Sequence, residues 1–200
     1  MTRIPSSLVL GIAGTRNAGK DTLFSHLKAI DPRFQHHAFA TTLKADLRQL
    51  IRSQFGIDPL TAEGKEKELI RPILVAYGCV WRDVDIDHWA KKVVEEIEWD
   101  QTMNPQSLIH CVCDVRFVSE ASLFRERFGS NFRLVNLTRI GAPDPTDEEK
   151  KHFQTVAAMA DYSITWGNDT ESQRALAAAK LVVWLEESVK TAPNGAPTHV

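Results

Sequence analysis

The sequence predicts an α/β fold, a doubly wound and mostly parallel sheet of five strands flanked by helices, and three observations predict it. Short apolar runs alternate with longer stretches of helical periodicity, the pattern of repeated strand–helix units. Two of the runs, 8–13 and 107–113, are apolar but for Ser107 and His110, as strands covered on both faces are. The first run passes through a glycine-bounded loop straight into an amphipathic segment, with Leu23, Phe24, Leu27 and Ile30 on one face.

Composition bounds the rest. Two hundred residues suffice for one domain with a sizeable core. An apolar fraction of 43% and a charged fraction of 25% are those of an ordinary globular chain, and a net charge of −2 argues against a general polyanion binder. No apolar run approaches the roughly 20 residues a membrane-spanning helix needs. Residues 1–7 lack the apolar core of a signal peptide, so a cytoplasmic location and no membrane partner are expected. The three cysteines, Cys79, Cys111 and Cys113, do not suggest a disulfide framework; Cys111 and Cys113 read as small core residues of a buried strand rather than half a zinc site.

In chain order, Asp31-Pro32 breaks the first helix, and a short strand is expected at 35–40. His36 and His37 are adjacent, so on a strand they point to opposite faces and cannot chelate one ion together. Thr41 or Thr42 caps a helix with Leu43, Leu47, Leu50 and Ile51 at helical spacing, and Lys44 lies in its first turn. Residues 58–67 read as a mobile connection and 68–78 as a helix stopped by Gly78. Asp83, Asp85 and Asp87 lead into a helix carrying Trp89, Val93 and Ile97, with Asp87 as its cap. They lack the glycine and terminal glutamate of a calcium loop. After the strand at 107–113 comes Asp114-Val115-Arg116-Phe117, then a helix from Ser119, a strand at 132–137, a turn-rich break at 141–145, a strand at 162–165 and a helix at 171–189. The expected organisation is a single domain over 1–190, with an acceptor-binding helical region at about 41–100, a lid at about 139–160 and a disordered tail at 191–200.

The glycine-bounded loop, Gly14-Thr15-Arg16-Asn17-Ala18-Gly19-Lys20-Asp21-Thr22, sits between a strand and a helix, as a phosphate-binding P-loop must. Its backbone N–H groups would cradle phosphate oxygens with the positive end of the helix behind them, and Lys20 would reach the β- and γ-phosphates. Asp21 stands where the motif expects a hydroxyl residue, and Thr22 supplies a hydroxyl one position later.

The loop, then Phe39-Ala40-x-x-Leu43-Lys44, Arg71-Pro72 with Gly78 and Arg82, Trp89, and Asp114-Val115-Arg116-Phe117-x-x-Glu120, resemble the deoxynucleoside monophosphate kinases of tailed bacteriophages over about residues 8–170. The chain departs from that family's pattern at Thr41 and Tyr77, in the acceptor half. The resemblance implies a P-loop kinase fold and Mg²⁺-dependent transfer of the ATP γ-phosphoryl group to a deoxynucleoside monophosphate, in the cytoplasm of an infected bacterial host. It assigns Gly14, Asn17, Ala18, Gly19, Lys20, Asp21 and Thr22 to the ATP phosphates. Lys44, Arg71, Arg82, Trp89, Arg116 and Glu120 fall to the acceptor. Lys20, Asp114, Arg116 and Arg139 are assigned to catalysis, with Thr22 and Asp114 beside the metal, Asp114 orienting a metal-bound water or a substrate group. Two other readings stay open. One is a kinase of a hydroxymethylated pyrimidine, as nucleotide or within DNA, which would make DNA a partner; the other is a nucleotide-binding regulator without transfer. A homodimer is compatible with either.

Overall fold

The computed structural model describes residues 2–105, 108–142, 147–167 and 170–190. Five strands, β1 (Val9–Gly14), β2 (Phe34–His37), β3 (Ile109–Val115), β4 (Phe132–Arg139) and β5 (Tyr162–Trp166), pair in parallel in the order β2-β3-β1-β4-β5. The helices are α1 (Lys20–Ile30), α2 (Phe39–Phe55), α3 (Gly64–Val84), α4 (His88–Met103), α5 (Val118–Phe128), α6 (Asp147–Ala158) and α7 (Glu171–Lys190).

Alternation along the strands explains why helices cover both faces. Leu8, Leu10 and Ile12, with Ile109, Cys111 and Cys113 of β3, pack under Leu23 and Leu27 of α1 and Leu181 and Leu185 of α7. Val9 and Ala13, with Val112 and Leu134, pack against α4, α5 and Val156 of α6. A smaller cluster of Leu47, Ile51, Ile57, Ala62 and Ile70 holds α2 to α3. None of the helices among the described residues is long and apolar enough to cross a membrane.

From β1 the chain crosses to β2, beyond β3; from β3 it crosses β1 in the opposite sense to reach β4. The carboxyl ends of β1 and β3 therefore flank a topological switch point, where open α/β sheets bind ligands. The register there is irregular. Ile12 pairs with Cys113 but Ala13 with Val115, so Asp114 is the extra residue of a bulge. The bulge reverses the side-chain parity: Cys113 belongs to the α1 face, and Val115 to the α4–α5 face.

Several local expectations give way to tertiary packing. The strand expected at 35–40 ends at His37, and α2 begins at Phe39 with Ala38 as its N-cap. Thr42 is buried and donates its hydroxyl to Glu96, 3.1 Å away, instead of capping, and Lys44 falls in the second turn. The connection expected to be mobile is tied down where Asp58 bonds Arg48 at 2.7 Å and the N–H of Leu60 at 3.1 Å, and α3 already starts at Gly64. Gly78 does not stop that helix. A Cβ there would lie 2.8 Å from Leu43 Cδ1, so the glycine lets α2 and α3 pack closely. Pro72 also lies inside α3, where its ring nitrogen leaves the Glu68 carbonyl without its usual donor. Asp87 stands at the N-cap of α4 but makes no capping bond; Asp85 instead accepts the N–H of Asp87 at 3.1 Å. The tail expected at 191–200 lies outside the described residues.

Asp31, fully buried at the end of α1, anchors the start of the chain. Its carboxylate accepts bonds from the Thr2 hydroxyl and from the Arg33 guanidinium at 2.7 Å. Burial alone would raise its pKa, but the bonds from Arg33 and Thr2 outweigh it and hold the carboxyl well below the usual range. A depressed pKa stabilises the fold above the unfolded-state value of 3.8, and that stability is lost as pH falls below it. Asp31→Asn should lower unfolding stability by about 2–3 kcal/mol at pH 7. In urea titrations the gap to the unsubstituted chain should narrow below pH 3.8. Equal midpoints at pH 7 would contradict this anchoring role.

Candidate active site

The loop after β1 is shaped by close approaches that only glycine permits. A Cβ on Gly14 would lie 2.6 Å from the Leu137 carbonyl oxygen of β4, and one on Gly19 would lie 2.6 Å from the Trp166 ring. Gly19 also has φ of 95°, and Asn17 is left-handed at 61°. The Ala18 N–H closes the turn onto the Thr15 carbonyl at 3.2 Å. Gly19 is the N-cap of α1 and has no side chain to cap it, so the first-turn N–H groups of Lys20, Asp21 and Thr22 keep no intrahelical partner. An uncapped helix start behind a glycine turn fits an anionic phosphate chain.

The Lys20 ammonium donates to the Gly14 and Thr15 carbonyls, both at 2.9 Å, and lies 3.1 Å from Asp114 Oδ1. The other Asp114 oxygen pairs with the Arg116 guanidinium. Asp114 is held at φ of 87°, a conformation that costs an aspartate of order 1 kcal/mol or more. The bulge thus aims a carboxylate between two cations. Behind it, Glu120 accepts the N–H groups of Arg116 at 2.8 Å and Phe117 at 3.1 Å, closing the start of α5 and shaping the 114–117 turn. Arg82 reaches over from α3, its guanidinium 4.8 Å from the Phe117 ring centre.

Four cavities lie around the loop after β1 and this turn. One, beside the loop, is lined by Asn17, Gly19, Lys20, Asp21, Thr22 and Arg139, whose guanidinium donates to the Asn17 carbonyl at 3.4 Å. A second joins Arg16, Lys20 and Asp21 to His36, Asp114 and Arg116. A third, of about 320 Å³, lies between α2 and α3 and is lined by Phe39, Lys44, Arg82, Trp89, Asp114 and Arg116. A fourth, of about 250 Å³, runs from Gly14 and Arg116 to Phe117, His152 and Phe153. The oxygens of Asp21, Thr22 and Asp114 around the first two cavities are the hard donors that suit Mg²⁺.

The structure thus gathers Lys20, Asp21, Thr22, Arg139, Asp114 and Arg116 around the loop, and Lys44, Arg82 and Trp89 across from it. Trp89 is buried and donates its indole N–H to the Gly78 carbonyl at 3.3 Å. Two residues assigned to the acceptor stand elsewhere. Arg71 is exposed on α3, paired with Glu68, and lines none of these cavities. Glu120 is 3% exposed and spends its carboxylate on the backbone, so it positions the turn rather than facing a ligand. Of the expected lid at 139–160, α6 sets Val156 in the core and His152 and Phe153 on a cavity wall, while 143–146 lie outside the described residues. Sequence reasoning missed Arg16, His36, Cys113, Phe117 and His152 as lining residues. Cys113 carried a small signal, a polarisable side chain one residue before Asp114. Its bond with Cys111 and the neighbouring His36 lower the thiol's pKa against the cost of burial.

Burial pushes the Glu120 carboxyl up to about 7, only partly opposed by the two N–H groups and by Arg82. A raised carboxylate pKa means the folded state holds its proton after the unfolded state has lost it, so stability falls as pH rises from about 4.5 to about 7. Glu120→Gln keeps an acceptor oxygen and removes the charge. Thermal unfolding across pH 4–8 should show a shallower decline in the variant; an identical slope would contradict the assignment.

No protein-family model matches the chain, and no curated protein matches it. Among solved structures it is similar to the dephospho-CoA kinase from Campylobacter jejuni, at 11% identity and a TM-score of 0.50 over 90% of this chain and 97% of that one. It also matches a shikimate kinase from Aquifex aeolicus at 14% identity, over 92% of this chain and 100% of that one, with a TM-score of 0.47. A gluconokinase from Sinorhizobium meliloti matches at 9% identity, over 93% and 97%, with a TM-score of 0.48. The first likeness, with the strand order and the loop after β1, shows the fold: an α/β five-stranded parallel sheet with a P-loop after its first strand, shared with that dephospho-CoA kinase.

Proposed function

We propose that the protein is a phosphotransferase that moves the ATP γ-phosphoryl group to the 5′-phosphate of a deoxynucleoside monophosphate. One observation carries the reading. Asp114 and Arg116 line both the cavity that takes Arg16, Lys20 and Asp21 from the P-loop and helix start and the cavity holding Lys44, Arg82 and Trp89, so two cation-lined sites meet at a single ion pair. Transfer between two anionic partners needs little covalent help and much positioning and charge neutralisation. Three cations on the acceptor side call for an acceptor that is itself charged. The aromatic walls, Trp89 and Phe39 on one side of Arg116 and Phe117 and Phe153 on the other, suit a planar base. The resemblance to phage deoxynucleoside monophosphate kinases supports that choice.

In this reading Lys20 exchanges its bonds to the Gly14 and Thr15 carbonyls for phosphate oxygens, and the first-turn N–H groups of α1 hold the same chain. Arg139, at the loop's outer edge, neutralises charge on the phosphoryl group. Arg116 grips the acceptor phosphate, and Asp114 orients the groups between the two sites. Mg²⁺, held by Thr22 and Asp114, would supply charge neutralisation on the β and γ oxygens.

ADP release from MgATP, measured against the four deoxynucleoside monophosphates, their ribose counterparts, hydroxymethylated pyrimidine nucleotides and duplex DNA, tests the proposal. Turnover is expected with at least one free deoxynucleotide. Turnover with modified nucleotide or DNA alone, or none with ATP still bound, would overturn it. Lys20→Ala should lower kcat by at least about a hundredfold without unfolding the chain. Arg116→Ala should raise the acceptor KM more than the ATP KM, and equal effects on both would remove its acceptor role.

A further inference from the structure

On the sheet face that α4 covers, opposite α1, two buried histidines of the neighbouring strands β2 and β3 face each other. His37 Nε2 and His110 Nδ1 are 3.0 Å apart, and the residues are 7% and 1% exposed. Asp100 of α4 completes a group whose ligand atoms all lie within 4.8 Å of one another. One turn earlier on the same helix, Glu96 places a carboxylate oxygen 3.6 Å from the other ring nitrogen of His37, and its second oxygen accepts the Thr42 hydroxyl at 3.1 Å.

We propose that His37, His110 and Asp100 form a binding site for a divalent transition-metal ion of the zinc type, separate from the nucleotide site. Two imidazoles at 3.0 Å share one proton, and an ion replaces that proton. Tetrahedral ligands at about 2.05 Å stand about 3.3 Å apart, so the histidine nitrogens need to part by only a few tenths of an ångström. Glu96 supplies what such sites use outside the ligands, a carboxylate beside the second nitrogen of a ligating histidine. It favours the tautomer that leaves the lone pair on Nε2, facing His110. Two nitrogens and one carboxylate suit zinc, cobalt or nickel over Mg²⁺, which prefers an all-oxygen shell. The three residues come from β2, β3 and α4, so the ion would clamp the sheet's edge strand to the core. That strand leads through Ala38 into α2, which carries Lys44.

The full chain, stripped with chelator, is titrated with Co²⁺ and followed by visible absorption, and with Zn²⁺ followed by thermal unfolding. One Co²⁺ per chain should bind with tetrahedral-type bands in the presence of millimolar Mg²⁺. Zn²⁺ at hundredfold excess over its Kd should raise Tm by about 5 °C or more. Asp100→Asn, a partly exposed position, should weaken binding about tenfold or more, and His37→Gln should abolish it. If His37→Gln does not fold, Asp100→Asn decides. No saturable binding, or wild-type affinity in Asp100→Asn, would overturn the site. So would a loss on His36→Gln with His37→Gln unaffected, which would put the ion on the Cys113 side.

Discussion

The ion pairs that Asp114 makes with Lys20 and Arg116 depend on a strained backbone, and much of the site depends on them. A regular β3 would send residue 114 onto the α4–α5 face, in parity with Val112. The bulge instead spends one residue to turn its carboxylate toward the loop, and Val115 takes the core position. A left-handed aspartate persists only where its surroundings over-determine it. Here they do so on both flanks, with two cations in front and Glu120 holding the N–H groups of Arg116 and Phe117 behind.

Charge balance explains why this arrangement suits anionic ligands. Lys20 is partnered by two carbonyls and a carboxylate, so its charge is matched within the site. In the proposed function, phosphate oxygens take the place of the two carbonyls. Lys44 and Arg82 face the neighbouring cavity from different helices, α2 and α3, which pack closely because Gly78 has no side chain. The positive charge lining this cavity therefore rests on a helix pair whose spacing one glycine sets.

What was legible in the sequence follows from range. The loop, its flanking strand and the helix after it are set by neighbours in the chain: two glycines, a lysine and an apolar run. The alternation of strands and helices is equally local, and it leads to the observed five-stranded parallel sheet. Gly78 was misread because its reason is Leu43, thirty-five positions earlier in the chain. Arg71 and Arg82 were both assigned to the acceptor, yet their placement on α3 turns the first to solvent and the second over Phe117. The bulge at Asp114 is a matter of register against β1, and the His37–His110 pair joins residues 73 apart, so neither leaves a local pattern.

The most direct measurement is kcat for Asp114→Asn at saturating MgATP and deoxynucleoside monophosphate, with both KM values beside it. Asparagine keeps the shape and removes the charge that stands between Lys20 and Arg116. The expected result is a fall in kcat of about a hundredfold or more with both KM values within about threefold, the mark of an interaction made in the transition state. A kcat close to that of the unsubstituted chain would contradict the role of this carboxylate as the junction of the two sites.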